Sequence, residues 1–304
     1  MIITVTPNPS LDRTLEVAHL APGEVLRASG HRVEAGGKGI NVARALHAHE
    51  RPVRAVLPVG GFEGRQMLRL LSDAAIETIA IDIRDSIRAN VSVVEPDGTT
   101  TKINEAGPAI TPDEVEDLLA AAEREARDAA WVVGSGSLPP GIAPSFFAEL
   151  VARARQAGAR VAVDTSGAAL VAAVAAHPDL VKPNLDELVA ATQLPVRTLG
   201  DAVYAAQKLC SSGVGTVLAS LGADGALLVD DRGVFHGRRS VVPRSTVGAG
   251  DATLAGYLAA EQDDPVTALR HAVGFGCAAV ELPGTQMPGP RDVRVDLVDV
   301  TQRP

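Results

Sequence analysis

Aromatic residues are nearly absent, at 3% of 304 residues. A chain with 46% hydrophobic content can still bury a large core, so that core must be built from Ala, Val, Leu and Ile. Cysteine is rarer still. Cys210 and Cys277 lie far apart, with no C-x-x-C pair and no Cys/His cluster, which leaves no zinc motif and fits a reducing compartment. Positive charge is in deficit too: the formal charge is −9 and the pI is near 5.3. That argues against nucleic acid or an anionic membrane as partner, and any bound phosphate must be neutralised locally. No run approaches the ~20 apolar residues of a membrane span, and residues 1–7 lack the basic and apolar stretches of a signal peptide. These absences predict a soluble, cytoplasmic protein. No internal repeat, low-complexity tract or linker divides it.

What the chain does contain is alternation. Apolar, β-rich runs over 2–6, 53–59, 76–83, 131–133, 160–163, 180–182 and 215–219 alternate with helical patterns, among them 65–71, 111–126, 144–157, 167–175 and 198–212. Strand and helix in turn imply an α/β fold with a doubly wound, mostly parallel sheet. Residues 88–105 have a different texture, with two half-polar alternating runs flanking Pro96-Asp97-Gly98, a hairpin signal. With the patchy extended segments before residue 34, they predict a small β lid over about 12–34 and 85–106. An edge hairpin of the main sheet is the alternative.

Chemistry concentrates where glycine loops enter helices. Ser245-Thr246-Val247-Gly248-Ala249-Gly250-Asp251 runs into an apolar helix from Ala252 to about Glu261. The first N–H groups of such a helix lack intrahelical partners and point, with the positive end of the dipole, at an anion. Asp251 is the loop's one proton acceptor, and the helix end should lower its pKa and make it a weak base. A weak base suits phosphoryl transfer, whose loose transition state asks a carboxylate only to orient a hydroxyl and take its proton. A turn capped by Asp251 is the equal alternative on these residues alone.

A second glycine loop, Gly36-Gly37-Lys38-Gly39, opens a helix containing Asn41; it departs from G-x-x-x-x-G-K-[ST], so it is no Walker A loop. It can still hold a sugar phosphate through N–H groups and the Lys38 charge. Asp12 follows the first strand at its carboxyl end, where open α/β sheets bind ligands. Asn184 and Glu187 are three apart at a helix start, hard oxygen donors of the kind that hold Mg²⁺, although a helix cap with a solvated glutamate is the simpler account. The Ser220-Leu221-Gly222 turn with Gly225 can wrap a nucleotide or simply reverse the chain. Gly274, Gly276 and Ala278 in the last helix, 264–280, suggest close helix packing. The absence of G-x-G-x-x-G after the 53–59 strand disfavours a dinucleotide and an oxidoreductase.

Taken in order, these motifs resemble those of the ribokinase-like sugar kinases, in the phosphofructokinase-B branch that includes the 1-phosphofructokinases and tagatose-6-phosphate kinases. The resemblance covers nearly the whole chain, and Ala35-Gly36-Gly37-Lys38-Gly39-Ile40-Asn41-Val42-Ala43 and Ser245 to Asp251 look like the family's two signatures. It implies Asp251 as catalytic base, with the amides of Gly248, Ala249 and Gly250 as anion hole. It implies a sugar-phosphate pocket of Asp12, Gly37, Lys38, Asn41, Arg88 and Ser137, joined by Arg27 from the lid. Ser220, Gly222 and Gly225 fall in the family's nucleotide loop, and Asn184 and Glu187 in its Mg²⁺ motif. ATP and Mg²⁺ are therefore the expected cofactors, and a homodimer paired through the lids the expected assembly. Within the branch, Gly37-Lys38-Gly39 and residues 102–108 look like the enzymes that phosphorylate fructose 1-phosphate, because the 6-phosphofructokinases tend to carry glycine at the Lys38 position. Ile87 stands where a threonine is common. Kinases of tagatose 6-phosphate or fructose 6-phosphate are the near alternatives, and a non-catalytic sugar-phosphate sensor the distant one.

Overall fold

The structure is a computed structural model that describes residues 1–260 and 264–303. Strand β1 (Ile2–Val5) is buried along its whole length, as a parallel strand covered on both faces must be. It pairs in parallel with β4 (Val53–Val59) on one side and β8 (Trp131–Ser135) on the other. The sheet continues in parallel through β5 (Glu77–Asp82) beyond β4, and through β9 (Arg160–Asp164), β10 (Leu180–Val181) and β11 (Thr216–Ser220) beyond β8. Antiparallel β12 (Ala226–Asp230), β13 (Gly233–Arg238) and β14 (Asp299–Arg303) complete ten strands in the order β14-β13-β12-β11-β10-β9-β8-β1-β4-β5. Because the order runs outward in both directions from β1, right-handed crossovers place the two helix sets on opposite faces. The first set is α1 (Lys38–Ala48), α2 (Gly61–Asp73), α8 (Ala249–Ala259) and α9 (Pro265–Glu281). The second is α3 (Pro112–Ala126), α4 (Phe146–Gln156), α5 (Gly167–Ala175), α6 (Leu185–Thr192) and α7 (Leu199–Ser211), each packed on the next.

The doubly wound, mostly parallel sheet read from the sequence is thus present. The half-polar hairpin does not join it. Strands β3 (Gly30–Gly36), β2 (Ser10–Glu16), β6 (Arg88–Val94) and β7 (Thr100–Asn104) form a separate sheet in that order, with β2 and β6 parallel and Ser10 opposite Arg88. Gly98 in the connecting turn has φ 90°, which only glycine adopts without strain.

Local chemistry sets most boundaries. Helix α3 starts at a capping box, Thr111 Oγ1 accepting from the Glu114 N–H at 3.3 Å and Glu114 Oε2 from the Thr111 N–H at 2.7 Å. Helix α2 begins four residues before the expected position, and Gly64 belongs inside it: a Cβ there would press on the Val59 backbone, so the glycine serves helix-on-strand packing rather than a turn. Strand β14 was not expected, since Asp299–Arg303 is short, exposed and largely polar and is held by its ladder to β13. Helix α8 ends at Ala259, and the expected end at Glu261 lies outside the described residues. Among the described residues no helix is long and apolar enough to cross a membrane.

Candidate active site

A cavity of about 1020 Å³ opens where β10 and β11 end and where α1, α6 and α8 begin, facing β2 and β6 of the small sheet. This is the switch region of an open α/β sheet, where carboxyl ends of strands leave a crevice. The structure brings Asp12, Gly37, Lys38, Asn41, Arg88, Asn184, Glu187, Ser220, Gly222, Gly225, Gly248, Ala249, Gly250 and Asp251 to its walls. It does not bring Arg27 or Ser137. Arg27 is exposed in the segment between β2 and β3. Ser137 is exposed outside that lining, its Oγ accepting from Asn8 Nδ2 at 3.1 Å, while the Asn8 carbonyl accepts from Arg88 Nη2 at 3.1 Å.

Gly248 caps α8 with φ 76°, a left-handed turn that lets the chain enter the helix abruptly; a Cβ there would collide with Met287. The Ala249 N–H reaches the Thr246 carbonyl at 3.4 Å, and the Ala252 N–H bonds the Gly248 carbonyl at 2.8 Å. The N–H groups of Gly250 and Asp251 therefore lie in the first turn that α8 leaves unpaired. Asp251 is 6% exposed, and Asn41 Nδ2 donates to its Oδ2 at 2.8 Å. That contact requires α1 to lie close: Gly39 faces the Thr6 hydroxyl with no room for a Cβ. Burial, and then the nearby Asp164 carboxylate, push the pKa of Asp251 up to about 7, against the opposing effects of Asn41, Lys38 and Lys182. The expectation of a pKa lowered by the helix end is overturned, because the loss of water outweighs the helix dipole.

The source of that second effect is a cluster that sequence reasoning passed over. Asp164, at the end of β9, is 1% exposed. Lys38 Nζ donates to its Oδ1 at 2.8 Å, and Lys182 Nζ lies 3.3 Å from its Oδ2. Burial alone would raise Asp164, but the charges of Lys182 and Lys38 prevail and hold it below its ordinary value. Burial works against the Lys38 charge as well, and Asp164 more than restores it, so Lys38 is raised. Both Asp164 and Lys182 end strands, the one signal that marks them.

On the small-sheet side, register does the positioning. Ser10 sits opposite Arg88 and Asp12 opposite Asn90, so the four polar residues share one face of the β2–β6 ladder. Asp12 Oδ1 accepts from Ser10 Oγ at 2.8 Å and from Asn90 Nδ2 at 2.9 Å, which fixes a carboxylate at the cavity edge. Arg88 is tied to the Glu105 and Asn8 carbonyls. Asn90 and Ser10 escaped the sequence reading, although the period of two that carries Arg88 and Asp12 inward also carries them.

At the opposite end, Gly222 and Gly225 have φ 63° and 88°, and a Cβ on Gly225 would strike the Gly237 carbonyl. The loop closes through the Leu221 N–H and the Gly225 carbonyl at 2.8 Å. Gly276 receives the Thr253 hydroxyl side chain where α9 crosses α8, so close helix packing explains it. Asn184 and Glu187 form a capping box for α6, with both reciprocal bonds at 2.8 Å. Their bonded oxygens are committed to the helix, leaving Glu187 Oε1, which stands 3.9 Å from Lys38 Nζ. That donor set fits a hydrated Mg²⁺ held at one carboxylate oxygen better than direct ligation by both residues. Among the described residues no cluster of three or more His, Cys, Asp or Glu is arranged to hold a metal.

A doubly wound sheet, a second small sheet facing it, and a buried carboxylate in a glycine-rich helix entry together define a carbohydrate-kinase architecture. The chain belongs to the pfkB family of carbohydrate kinases, whose family model matches residues 6–292. It is 39% identical over 297 residues to the 1-phosphofructokinase of Haloferax volcanii, covering 96% of this chain and 95% of that protein. The 1-phosphofructokinase of Rhodobacter capsulatus is 38% identical over 95% of this chain and 93% of its own. The ATP-dependent 6-phosphofructokinase isozyme 2 of Escherichia coli is 36% identical over 94% of each chain. The solved structure of Escherichia coli phosphofructokinase-2 in complex with substrates and products superposes with a TM-score of 0.90 at 34% identity, over 96% of both chains. The protein is accordingly a kinase that transfers phosphate to a hydroxyl group.

Proposed function

We propose that the protein phosphorylates fructose 1-phosphate on its 6-hydroxyl with ATP, yielding fructose 1,6-bisphosphate and ADP. The observation that carries this is Asp251, a buried carboxylate with a pKa near 7 at the mouth of a helix, in one cavity with Lys38 and Arg88. A group poised there takes up a proton at neutral pH far better than an ordinary aspartate. The 6-hydroxyl attacks the γ-phosphorus as its proton passes to Asp251, and the bond from that phosphorus to the bridging oxygen breaks as ADP leaves. The N–H groups of Gly248 and Gly250, with that of Ala249 released from its 3.4 Å bond to the Thr246 carbonyl, receive the charge on the transferring oxygens. Lys38 and Arg88 hold the sugar's own phosphate, Arg27 adds to them from the small sheet, and Asp12 with Asn41 and Ser137 orients the hydroxyls. Ser220, Gly222 and Gly225 wrap the nucleotide. Mg²⁺, held at the Asn184–Glu187 corner, would neutralise nucleotide phosphate charge.

In this reading the chain is one kinase domain in the cytoplasm, and the small sheet is a lid that excludes water from the transferring group. Two subunits pair lid to lid. The exposed Ile103 on β7 and the exposed Val25 supply apolar surface for such a pairing. Fructose 6-phosphate is the second reading, favoured by the likeness to the Escherichia coli 6-phosphofructokinase isozyme over nearly the full chain.

The test is ADP release with Mg·ATP against fructose 1-phosphate, fructose 6-phosphate, tagatose 6-phosphate and fructose. The expected result is a kcat/KM for fructose 1-phosphate well above the others. A higher value for another ketose phosphate would replace the substrate, and binding without turnover across the panel would favour a sensor instead.

A further inference from the structure

Asp164 takes no part in the phosphoryl transfer described above, yet it is almost fully buried directly behind the cavity wall, where its two lysine partners, Lys38 and Lys182, line the cavity. Its two oxygens are shared between two lysines from different elements. Lys38, in the first turn of α1, approaches from the sugar side. Lys182, directly after β10 and with a side chain only 4% exposed, approaches from the side of the anion hole. Its ammonium stands 3.0 Å from where a Cβ on Gly250 would sit, so the glycine there leaves room for a cation under the backbone of the helix entry. Asp251, by contrast, accepts a hydrogen bond from neutral Asn41 and has no cation within ion-pair distance among the described residues.

Two lysines crowded beside two carboxylates can pair in more than one way. Were either ammonium to close on Asp251, the base would be held ionised by a partner that resists its protonation, and a phosphate-binding cation would be spent on it. Asp164 prevents this by occupying both.

We infer that Asp164 is a positioning residue that holds the ammonium groups of Lys38 and Lys182 on the cavity floor, away from Asp251, so that both cations stay available to phosphate while the base stays unpaired. This rests on the kinase reading for its purpose, and on geometry alone for the arrangement. The charged groups facing Asp251 are Asp164 from β9, Lys38 from α1 and Lys182 from the end of β10. From α9, the titratable group at the cavity is Cys277, whose thiol burial pushes up and keeps neutral.

The experiment compares the full-length protein with Asp164→Asn and Lys182→Met by two measurements across pH 5–9: kcat and KM for the sugar phosphate, and the melting temperature. In Asp164→Asn a negative neighbour is lost and the lysines are released toward Asp251. The acid limb of kcat/KM should move down by about one pH unit or more, with KM for the sugar phosphate raised. In Lys182→Met the limb should move up instead. An acid limb that stays in place in both variants, with only the melting temperature lowered, would overturn the inference and leave Asp164 a packing residue. So would a raised Mg²⁺ requirement without a moved limb, which would give Asp164 to the metal. If Asp164→Asn does not fold, the upward shift in Lys182→Met decides alone. Should no sugar phosphate be turned over, the kinase reading fails. The pH dependence of the melting temperature, which follows the same buried carboxyl without turnover, must still move in opposite directions in the two variants.

Discussion

Replacing Asp251 by asparagine should cut activity sharply and raise stability in one step. Burial and the Asp164 charge lift the Asp251 pKa from 3.8 to about 7 in the folded protein. A native state that binds a proton more tightly than the unfolded chain loses stability as pH rises from about 4 through 7. At pH 8 the ionised carboxylate therefore costs the fold on the order of 4 kcal/mol, at ~1.4 kcal/mol for each unit of displacement. Asparagine keeps an oxygen for Asn41 Nδ2 and carries no charge to desolvate, while Lys38 and Lys182 keep Asp164 as partner. Melting curves should place the variant several degrees above the parent at pH 8, given ~2 °C per kcal/mol in a chain of this size. The difference should narrow toward pH 5 and close near pH 4. In the ADP-release assay kcat should drop by ~10²–10⁴-fold, the usual contribution of a general base. A variant that melts at or below the parent at pH 8 would refute the argument that this carboxylate is held against its preference. One that keeps near-normal kcat would remove Asp251 from the chemistry.

The same displaced pKa sets the acid limb of kcat/KM near pH 7 in the parent, since Asp251 must be ionised to accept a proton, and a limb near pH 4 would show it to be solvated after all. Lys38→Ala should raise KM for the sugar phosphate more than KM for ATP, and it should lower the melting temperature because Asp164 keeps only Lys182; an unchanged sugar-phosphate KM would place the sugar's phosphate elsewhere. Gly225→Ala combines φ 88° with a Cβ that meets the Gly237 carbonyl, so KM for ATP should rise roughly tenfold or more while KM for the sugar phosphate holds. Equal effects on both substrates would show that the loop supports the whole cavity rather than the nucleotide.

Much of the frame was legible because its signals are local. Continuous apolar runs such as β1 announce a strand covered on both faces, Thr111 and Glu114 announce a helix start, and Pro96-Asp97-Gly98 announces a hairpin. That the hairpin belongs to a separate sheet was only half legible, since its half-polar faces fit an edge strand equally well. Pairing across long intervals was not legible at all. Asp164 and Lys38 are separated by 126 residues, and nothing in either neighbourhood names the other. Ser137 and Arg27 lie off the cavity wall: the Ser137 hydroxyl accepts from Asn8 Nδ2 and keeps its own proton to donate, and the Arg27 side chain is exposed.

The direction of the Asp251 pKa is the instructive error, because both competing effects were foreseeable and only their sizes decide. A helix terminus is worth ~0.3–1 kcal/mol to a charge at its end, which is less than one pKa unit. Full burial of a carboxyl moves it by up to ~3–5 units the other way. The burial itself was written in α8, where beyond Asp251 only Thr253 and Tyr257 carry polar side-chain atoms and no polar face turns toward water. Such a helix is enclosed on every side, so an aspartate in its first turn is enclosed with it. The glycine loop that admits an anion and the apolar helix that excludes water are thus two halves of one device. In the proposed reaction the first would supply N–H groups for the transferring phosphate, and the second would keep the neighbouring carboxylate basic enough to take a proton at neutral pH.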